Sequence, residues 1–256
     1  MKTFVIGDIH GNYKGLLQCL ERSSFDYEND TLISLGDIVD RGPESYECIE
    51  ELLKIKHLIA IKGNHDETFL QWLKTGKHAL GFYHGAPETF KSYISHIPLP
   101  VFDEYTRVFT QQGPNFFTNL TRLDIPQSHI DFFENQVYYY IDENNNCFVH
   151  GGFDRHQLIE EQEPDDFLWD RQLIKAAMSH KDSEYPFKMM NNFDEVYLGH
   201  TPTLTWKTNL PMPTANVILL DTGAGYAKGK MTIMEVGTHL YYQSDLGSEL
   251  YPTILK

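Results

Sequence analysis

Gly7-Asp8-Ile9-His10-Gly11-Asn12, Gly36-Asp37-Ile38-Val39-Asp40-Arg41-Gly42 and Gly63-Asn64-His65-Asp66 are the strings that decide how this chain folds. Each follows a short apolar run: Thr3-Phe4-Val5-Ile6, Thr31-Leu32-Ile33-Ser34-Leu35 and Leu58-Ile59-Ala60-Ile61. Runs of this length that end at Gly and precede a helical pattern predict buried strands of a parallel sheet. Ligands of such sheets bind at the carboxyl ends of the strands, so the three strings bring Asp, His and Asn to one edge. Further along, Cys147-Phe148-Val149 leads into His150-Gly151-Gly152, and Glu195-Val196-Tyr197-Leu198 leads into Gly199-His200-Thr201-Pro202. The same pattern recurs there: a short strand, then a His beside Gly, where the backbone can turn sharply or approach a ligand.

The candidate metal ligands are therefore Asp8, His10, Asp37, Asn64, His150 and His200. Imidazole, carboxylate and amide donors without a thiolate suit divalent manganese, iron or zinc better than calcium or magnesium. Six protein ligands exceed the three of an open catalytic zinc. They suit two ions about 3.5–4 Å apart that share a carboxylate, the arrangement used for phosphoester hydrolysis. A single Asp or His at a strand end is more often a cap or a hydrogen-bonded surface group. Five such strings at five strand ends favour a dinuclear site.

These strings also resemble the signature blocks of the calcineurin-like metallophosphoesterases, from Asp8 to His200 and in the same order. The resemblance is nearest to the phosphoprotein phosphatase branch, particularly its small bacterial and lambda phage protein phosphatase-like members. It implies an α/β fold, a four-layer sandwich of two mixed β-sheets flanked by helices. It places Asp8 and His10 on the first metal, Asn64, His150 and His200 on the second, and Asp37 between them. His65 and Asp40 would form the acid dyad, and Arg41 would grip the phosphate with Asn64 nearby. Arg171, in Leu168-Trp169-Asp170-Arg171, matches the second phosphate-binding arginine of the phage-type enzymes. The two divalent ions would be manganese first, with iron or zinc as alternatives.

The chemistry can also be argued from the residues. Uncatalysed hydrolysis of phosphate monoesters is among the slowest reactions known. Two metals would activate a bridging water as the hydroxide that attacks phosphorus. Guanidinium groups match equatorial phosphoryl oxygens better than a lysine does, and Arg41 follows Asp40 at the metal edge, although it could instead pair with Asp40 and Glu44 on the surface. The leaving alkoxide needs a proton, and His65, one residue past Asn64, can turn its ring toward substrate. Nearby dications would disfavour a charged ring, and Asp40 is the carboxylate placed to counter them. Otherwise His65 would be one more ligand.

The chain has 256 residues, 41% of them apolar, enough for a sizeable core. The expectation is one domain over 1–256, with a cap or insert at about 76–135. A net charge of −15 argues against a nucleic-acid partner. No apolar run is long enough for a membrane helix, and residues 1–7 read as a strand rather than a leader. Cys19, Cys48 and Cys147 lack metal-type spacing and read as free thiols, which suggests the cytoplasm. The sequence leaves the oligomeric state unknown.

Helical spacing is expected from Tyr13 to Arg22, with Leu16, Leu17 and Leu20 inward. A second helix should open at Pro43, with Tyr46, Ile49, Leu52 and Leu53 on one face, and a third should span 66–75 with Asp66 and Glu67 at its start. In 76–135, Phe82, Tyr83, Phe90, Tyr93, Phe102, Tyr105, Phe109, Phe116 and Phe117 read mainly as core aromatics, and His78, His84 and His96 as core or surface groups. One aromatic there could still reach the mouth of the site. Residues 154–193 read as mixed helix and loop, with a solvated acidic run at 160–166. Strands are expected at 195–198, 216–221, 231–236 and 239–243. Leu220-Asp221-Thr222-Gly223-Ala224-Gly225 reads as a tight connection within a second sheet, since it opens no convincing helix.

The leading function is a metal-dependent phosphomonoesterase acting on phosphoserine and phosphothreonine, in a phosphorylated protein or a small phosphoester. The alternative is a symmetrical dinucleoside tetraphosphate hydrolase. The Asp40-Arg41 pair favours the first, because tetraphosphatases often lack that Asp; Leu220-Asp221-Thr222-Gly223 leans toward the second. A non-catalytic metal-binding scaffold ranks last, since such scaffolds usually lose the acid His or a ligand.

Overall fold

Alternation along the strands builds the layers. The computed structural model describes residues 1–77, 85–97, 106–110, 113–117, 120–181, 184, 187–253 and 255. In chain order, β1 (Thr3–Ile6), α1 (Tyr13–Arg22), β2 (Thr31–Ser34), α2 (Ser45–Leu52), β3 (His57–Ala60) and α3 (Asn64–Thr75) come first. Then follow α4 (Ala86–Ile94), a hairpin of β4 (Thr106–Thr110) and β5 (Gly113–Phe117), and α5 (Gln127–Asn135). The remainder is β6 (Tyr139–Ile141), β7 (Cys147–Val149), α6 (Pro164–Trp169), α7 (Gln172–Ser179), β8 (Val196–Leu198), β9 (Met212–Thr214), β10 (Val217–Leu219), β11 (Thr232–Glu235), β12 (Tyr241–Gln243) and α8 (Gly247–Leu250).

Two five-stranded sheets result, ordered β12-β11-β1-β2-β3 and β6-β7-β8-β10-β9. β1, β2 and β3 run parallel, as do β7, β8 and β10, and antiparallel strands complete each sheet. Successive side chains of a strand face opposite ways. Val5, Ile33, Phe148, Tyr197 and Ile218 thus meet between the sheets, with the rings of Phe148 and Tyr197 stacked at 4.8 Å. Their neighbours Phe4, Ile6 and Leu32 point outward to Leu16, Leu20, Ile49, Leu52, Phe69, Phe90 and Phe133 of the first helical layer. Val149, Leu198 and Leu219 point the opposite way, to Leu173, Ile174 and Ala177 of α7. Helices, sheet, sheet, helices: the expected four-layer α/β sandwich is what forms.

Local details depart from the sequence reading. Leu17 and Leu53 stay outside the core, at 36% and 42% exposure. Pro43 precedes α2 instead of opening it, and α3 starts two residues early, putting Asn64 and His65 on its first turn. β11 and β12 join the first sheet, so residues 220–225 connect the two sheets and are not a turn within the second. Phe90 and Tyr93 are core aromatics. Phe82, Tyr83, Phe102, Tyr105, His78 and His84 lie outside the described residues, as do the side chains of Phe109, Phe116 and Phe117. The three cysteines are buried and unpaired. No helix among the described residues is long and apolar enough to cross a membrane.

Candidate metal centre

Every candidate ligand lies within four residues of a strand's carboxyl end: Asp8 and His10 after β1, Asp37 after β2, Asn64 after β3, His150 after β7 and His200 after β8. The loops are cross-tied. Asp37 O accepts from the backbone N–H groups of Ile9 and His10, at 3.1 and 2.8 Å, and Gly11 N–H donates to Ile38 O at 2.8 Å. Asp66, read from sequence as a helix-start charge, is buried; its carboxylate accepts from Ile38 N (2.8 Å), Gly63 N (3.1 Å) and Gln136 Nε2 (2.8 Å), holding the second and third loops together. Burial, with the Asp37 charge nearby, pushes the Asp66 carboxyl up to about 6. His10, Asp37, Asp40, Arg41 and His200 all have φ between 49° and 73°. That left-handed region is uncommon for residues with a side chain, and its concentration here marks backbone held by its surroundings for a purpose.

The donor atoms form two groups that share one residue. Those of His10, Asp37 and His65 lie within 4.8 Å of one another, and so do those of Asp37, His150 and His200. His10 Nε2 is 3.6 Å from Asp37 Oδ2 and 3.8 Å from Asp8 Oδ2. His150 Nε2 is 3.4 Å from Asp37 Oδ1 and 3.0 Å from Asn64 Oδ1. His200 N–H donates to Asp8 Oδ1 at 3.1 Å, joining the two sheets at the site.

Hydrogen bonds select the ring nitrogen that faces inward. His10 Nδ1 donates to Val39 O (2.9 Å) and His150 Nδ1 to Leu35 O (2.8 Å), turning each Nε2 toward Asp37. Nε2 of His10 and of His200 are buried with no hydrogen-bond partner among the described residues. Orphaned buried polar atoms are costly, and a divalent cation beside each ring would satisfy them. The donor set fits two such ions.

The donors differ in their electrostatics. Burial, helped by the Arg41 guanidinium, lowers His10 well below the usual histidine range, and burial takes His200 down to about 2, so both are neutral lone-pair donors. Burial would raise Asp37, but His150, His65 and His10 outweigh it and hold the carboxyl well below its usual range. For His150 burial acts downward, yet the Asp37 and Asp8 carboxylates together outweigh it and raise the ring to about 9. Asp8 is raised, first by burial and then by the Asp221 carboxylate.

His65 differs from the other rings. Its Nδ1 sits 2.7 Å from Asp40 Oδ2, while Nε2 lies 3.8 Å from Asp37 Oδ2 and 3.5 Å from Arg41 Nη2. Arg41 lies over the Tyr226 ring at 4.6 Å, and its Nη1 is buried without a hydrogen-bond partner among the described residues. Arg171 Nη1 donates to His200 O (3.2 Å) and Thr201 Oγ1 (2.9 Å), on the side of the second group.

Residues 220–225, expected as a tight connection within the second sheet, instead reach the site. Asn12 Nδ2 donates to Ala224 O at 3.0 Å, and a Cβ on Gly225 would come within 2.6 Å of Arg41 Cδ and 3.1 Å of His10 Cβ. The turn is therefore a wall of the site. Asp221 on it is buried, with Oδ2 unpartnered among the described residues. The signal was available: Asp221 follows an apolar run directly and stands two residues before Gly223, whereas Asp8 and Asp37 follow theirs across Gly7 and Gly36. Among the described residues, the aromatics beside the site are Tyr226 on Arg41 and Trp169, edge-on to His200 at 6.0 Å; the expectation of an aromatic from 76–135 at the mouth falls largely on residues outside the described ones.

A model of the calcineurin-like phosphoesterase family matches residues 1–204. The chain belongs to that family. This phosphoesterase is 25% identical over 241 residues, 91% of each chain, to serine/threonine-protein phosphatase 1 of Salmonella typhimurium. It is 43% identical to a symmetrical bis(5'-nucleosyl)-tetraphosphatase of Proteus mirabilis, over 67 residues that span 26% of this chain and 24% of that one. A solved metallophosphoesterase from Sphaerobacter thermophilus superposes with a TM-score of 0.53 at 18% identity, covering 96% of this chain and 89% of the other. The family is dinuclear and metal-dependent, in keeping with the two donor groups around Asp37.

Proposed function

We propose that this phosphoesterase hydrolyses phosphoserine and phosphothreonine in proteins. The observation that carries the reading is the His65–Asp40 pair, joined at 2.7 Å beside Asp37. When the phosphoryl group is taken from phosphoserine or phosphothreonine, the side-chain oxygen leaves as an alkoxide, a poor leaving group that requires a proton in the transition state. Cleavage of a dinucleoside tetraphosphate expels a nucleotide anion with far less need for one. The Salmonella phosphatase, similar along nine-tenths of both chains, supports the same choice.

Asp8, His10 and Asp37 would hold one divalent cation, and Asp37, Asn64, His150 and His200 the other. When bound, the two ions supply an activated water and neutralise charge on the phosphoryl group. The chain's own residues do the rest. Arg41, its Nη1 unpartnered and its plane braced by Tyr226, takes phosphoryl oxygens from one side. Arg171, tied to the loop of His200, takes them from the other, with the Asn64 amide as a further contact. His65 Nε2 delivers the proton to the leaving oxygen, while Asp40 fixes the ring through Nδ1. Manganese is the metal we assign, from the mixed imidazole and carboxylate donors. The three buried, unpaired thiols favour a reducing cytoplasm.

The tetraphosphatase reading stands second, on the 43% identity across 67 residues. A turnover assay with manganese, offering a phosphothreonine peptide and diadenosine tetraphosphate side by side, separates the two. Faster consumption of the peptide by orders of magnitude is expected, and the reverse preference would establish the second reading.

A further inference from the structure

The helix α4 lies outside every string that carries metal or phosphate chemistry, yet it touches the acid dyad. Thr89, fully buried on its second turn, places Oγ1 between two groups of Asp40. That oxygen accepts from Asp40 N at 2.8 Å and donates to Asp40 Oδ1 at 2.7 Å, with Ser45 Oγ 3.3 Å away. With Oδ1 pinned, the carboxylate cannot rotate freely, and Oδ2 is left for His65 Nδ1. The same hydroxyl supports the backbone of Asp40 at φ 73°.

The start of α4 holds the next residue too. Arg41 N donates to Gly85 O at 3.1 Å, and Gly85, at φ 98°, lies so close to the Arg41 backbone that a Cβ has no room. Ser92, one turn beyond Thr89, accepts from Tyr46 N at 3.0 Å and donates to Glu47 Oε2 at 3.1 Å, fastening α4 to α2. One face of this helix thus supports the left-handed Asp40-Arg41 corner.

We propose that Thr89 is a positioning residue for proton delivery: its hydroxyl orients the Asp40 carboxylate and, through it, the His65 ring. This rests on reading His65–Asp40 as the proton donor. The effect should fall on the step that needs a proton and spare metal binding and substrate binding.

Thr89→Val, which keeps the shape and removes the hydroxyl, is compared with Thr89→Ser, which keeps the hydroxyl. Each is assayed on a phosphothreonine peptide and on p-nitrophenyl phosphate, whose phenolate needs little protonation, with bound manganese counted in parallel. The expected result for Thr89→Val is a kcat lower by ~10–100-fold on the peptide, part of what a general acid supplies. KM and manganese content should be unchanged, and p-nitrophenyl phosphate turnover within about 3-fold, with Thr89→Ser restoring the peptide activity. In an Asp40→Asn background, Thr89→Val should cost almost nothing more, because it acts through Asp40. Equal losses on both substrates, lost manganese, or full additivity with Asp40→Asn would overturn the proposal. If Thr89→Val fails to fold, Thr89→Ala takes its place, and failure of both to fold makes Thr89 a structural residue and likewise overturns it. His65→Ala serves as the control: if it lowers turnover of both substrates equally, the dyad reading itself fails, whatever Thr89 does.

Discussion

The two sheets build the site differently. The first contributes Asp8, His10, Asp37, Asp40, Arg41, Asn64 and His65 from three consecutive loops, tied to one another by backbone hydrogen bonds and by the Asp66 carboxylate. The second contributes His150, His200 and Asp221 singly, and its anchors are borrowed: His150 Nδ1 bonds to Leu35 O, and His200 N–H to Asp8. The first half can hold its shape by local contacts, whereas the second depends on the sheets being pressed together. Asp37 is the residue both halves share.

Removing the shared residue should do the most damage. Asp37→Ala is expected to lower turnover by ~10⁴-fold or more and to lose both metal equivalents, because neither group closes without it. Calorimetric titration with manganese checks this; a variant still binding two ions tightly would break the comparison. His65→Ala should cut turnover of the phosphothreonine peptide by ~10²–10⁴-fold with metal content intact. Atomic absorption alongside kinetics separates loss of the acid from loss of a ligand, and a missing metal equivalent would make His65 a ligand.

The dependence of the second half on packing can be tested away from the chemistry. Phe148→Ala removes a fully buried ring that stacks on Tyr197 between the sheets. It should destabilise the protein by about 3–5 kcal/mol, read from urea unfolding. It should also weaken manganese binding at His150 and His200 before that at His10, and equal weakening of both sites would deny any difference between the halves. The smallest effect is expected from Asp221→Asn, which removes a buried negative charge beside Asp8 without removing a proposed ligand. Affinity for one equivalent should fall ~10–100-fold, as for groups just behind metal ligands, and the second equivalent should be untouched.

What sequence could reveal follows the same division. The first-sheet loops were legible because each packs several chemical residues beside Gly directly after an apolar run, so local pattern and global position agree. His150 and His200 were legible by the same rule with less redundancy. Asp221 fits the rule only loosely, because Thr222 separates it from Gly223 and its turn opens no helix. Thr89 carries no local signal: a threonine within a helix looks ordinary until the fold brings it against Asp40. The return of β11 and β12 to the first sheet was equally hidden, since antiparallel pairing with β1 joins residues over two hundred positions apart. The strands were visible, but their partners were not.

The proposed chemistry requires Asp37 to join two cations into one centre. Electron paramagnetic resonance during a manganese titration addresses that directly. Two equivalents per chain, giving an exchange-coupled signal that Asp37→Ala abolishes, is the predicted result. Saturation at one equivalent, or two ions with the spectrum of isolated manganese, would contradict it.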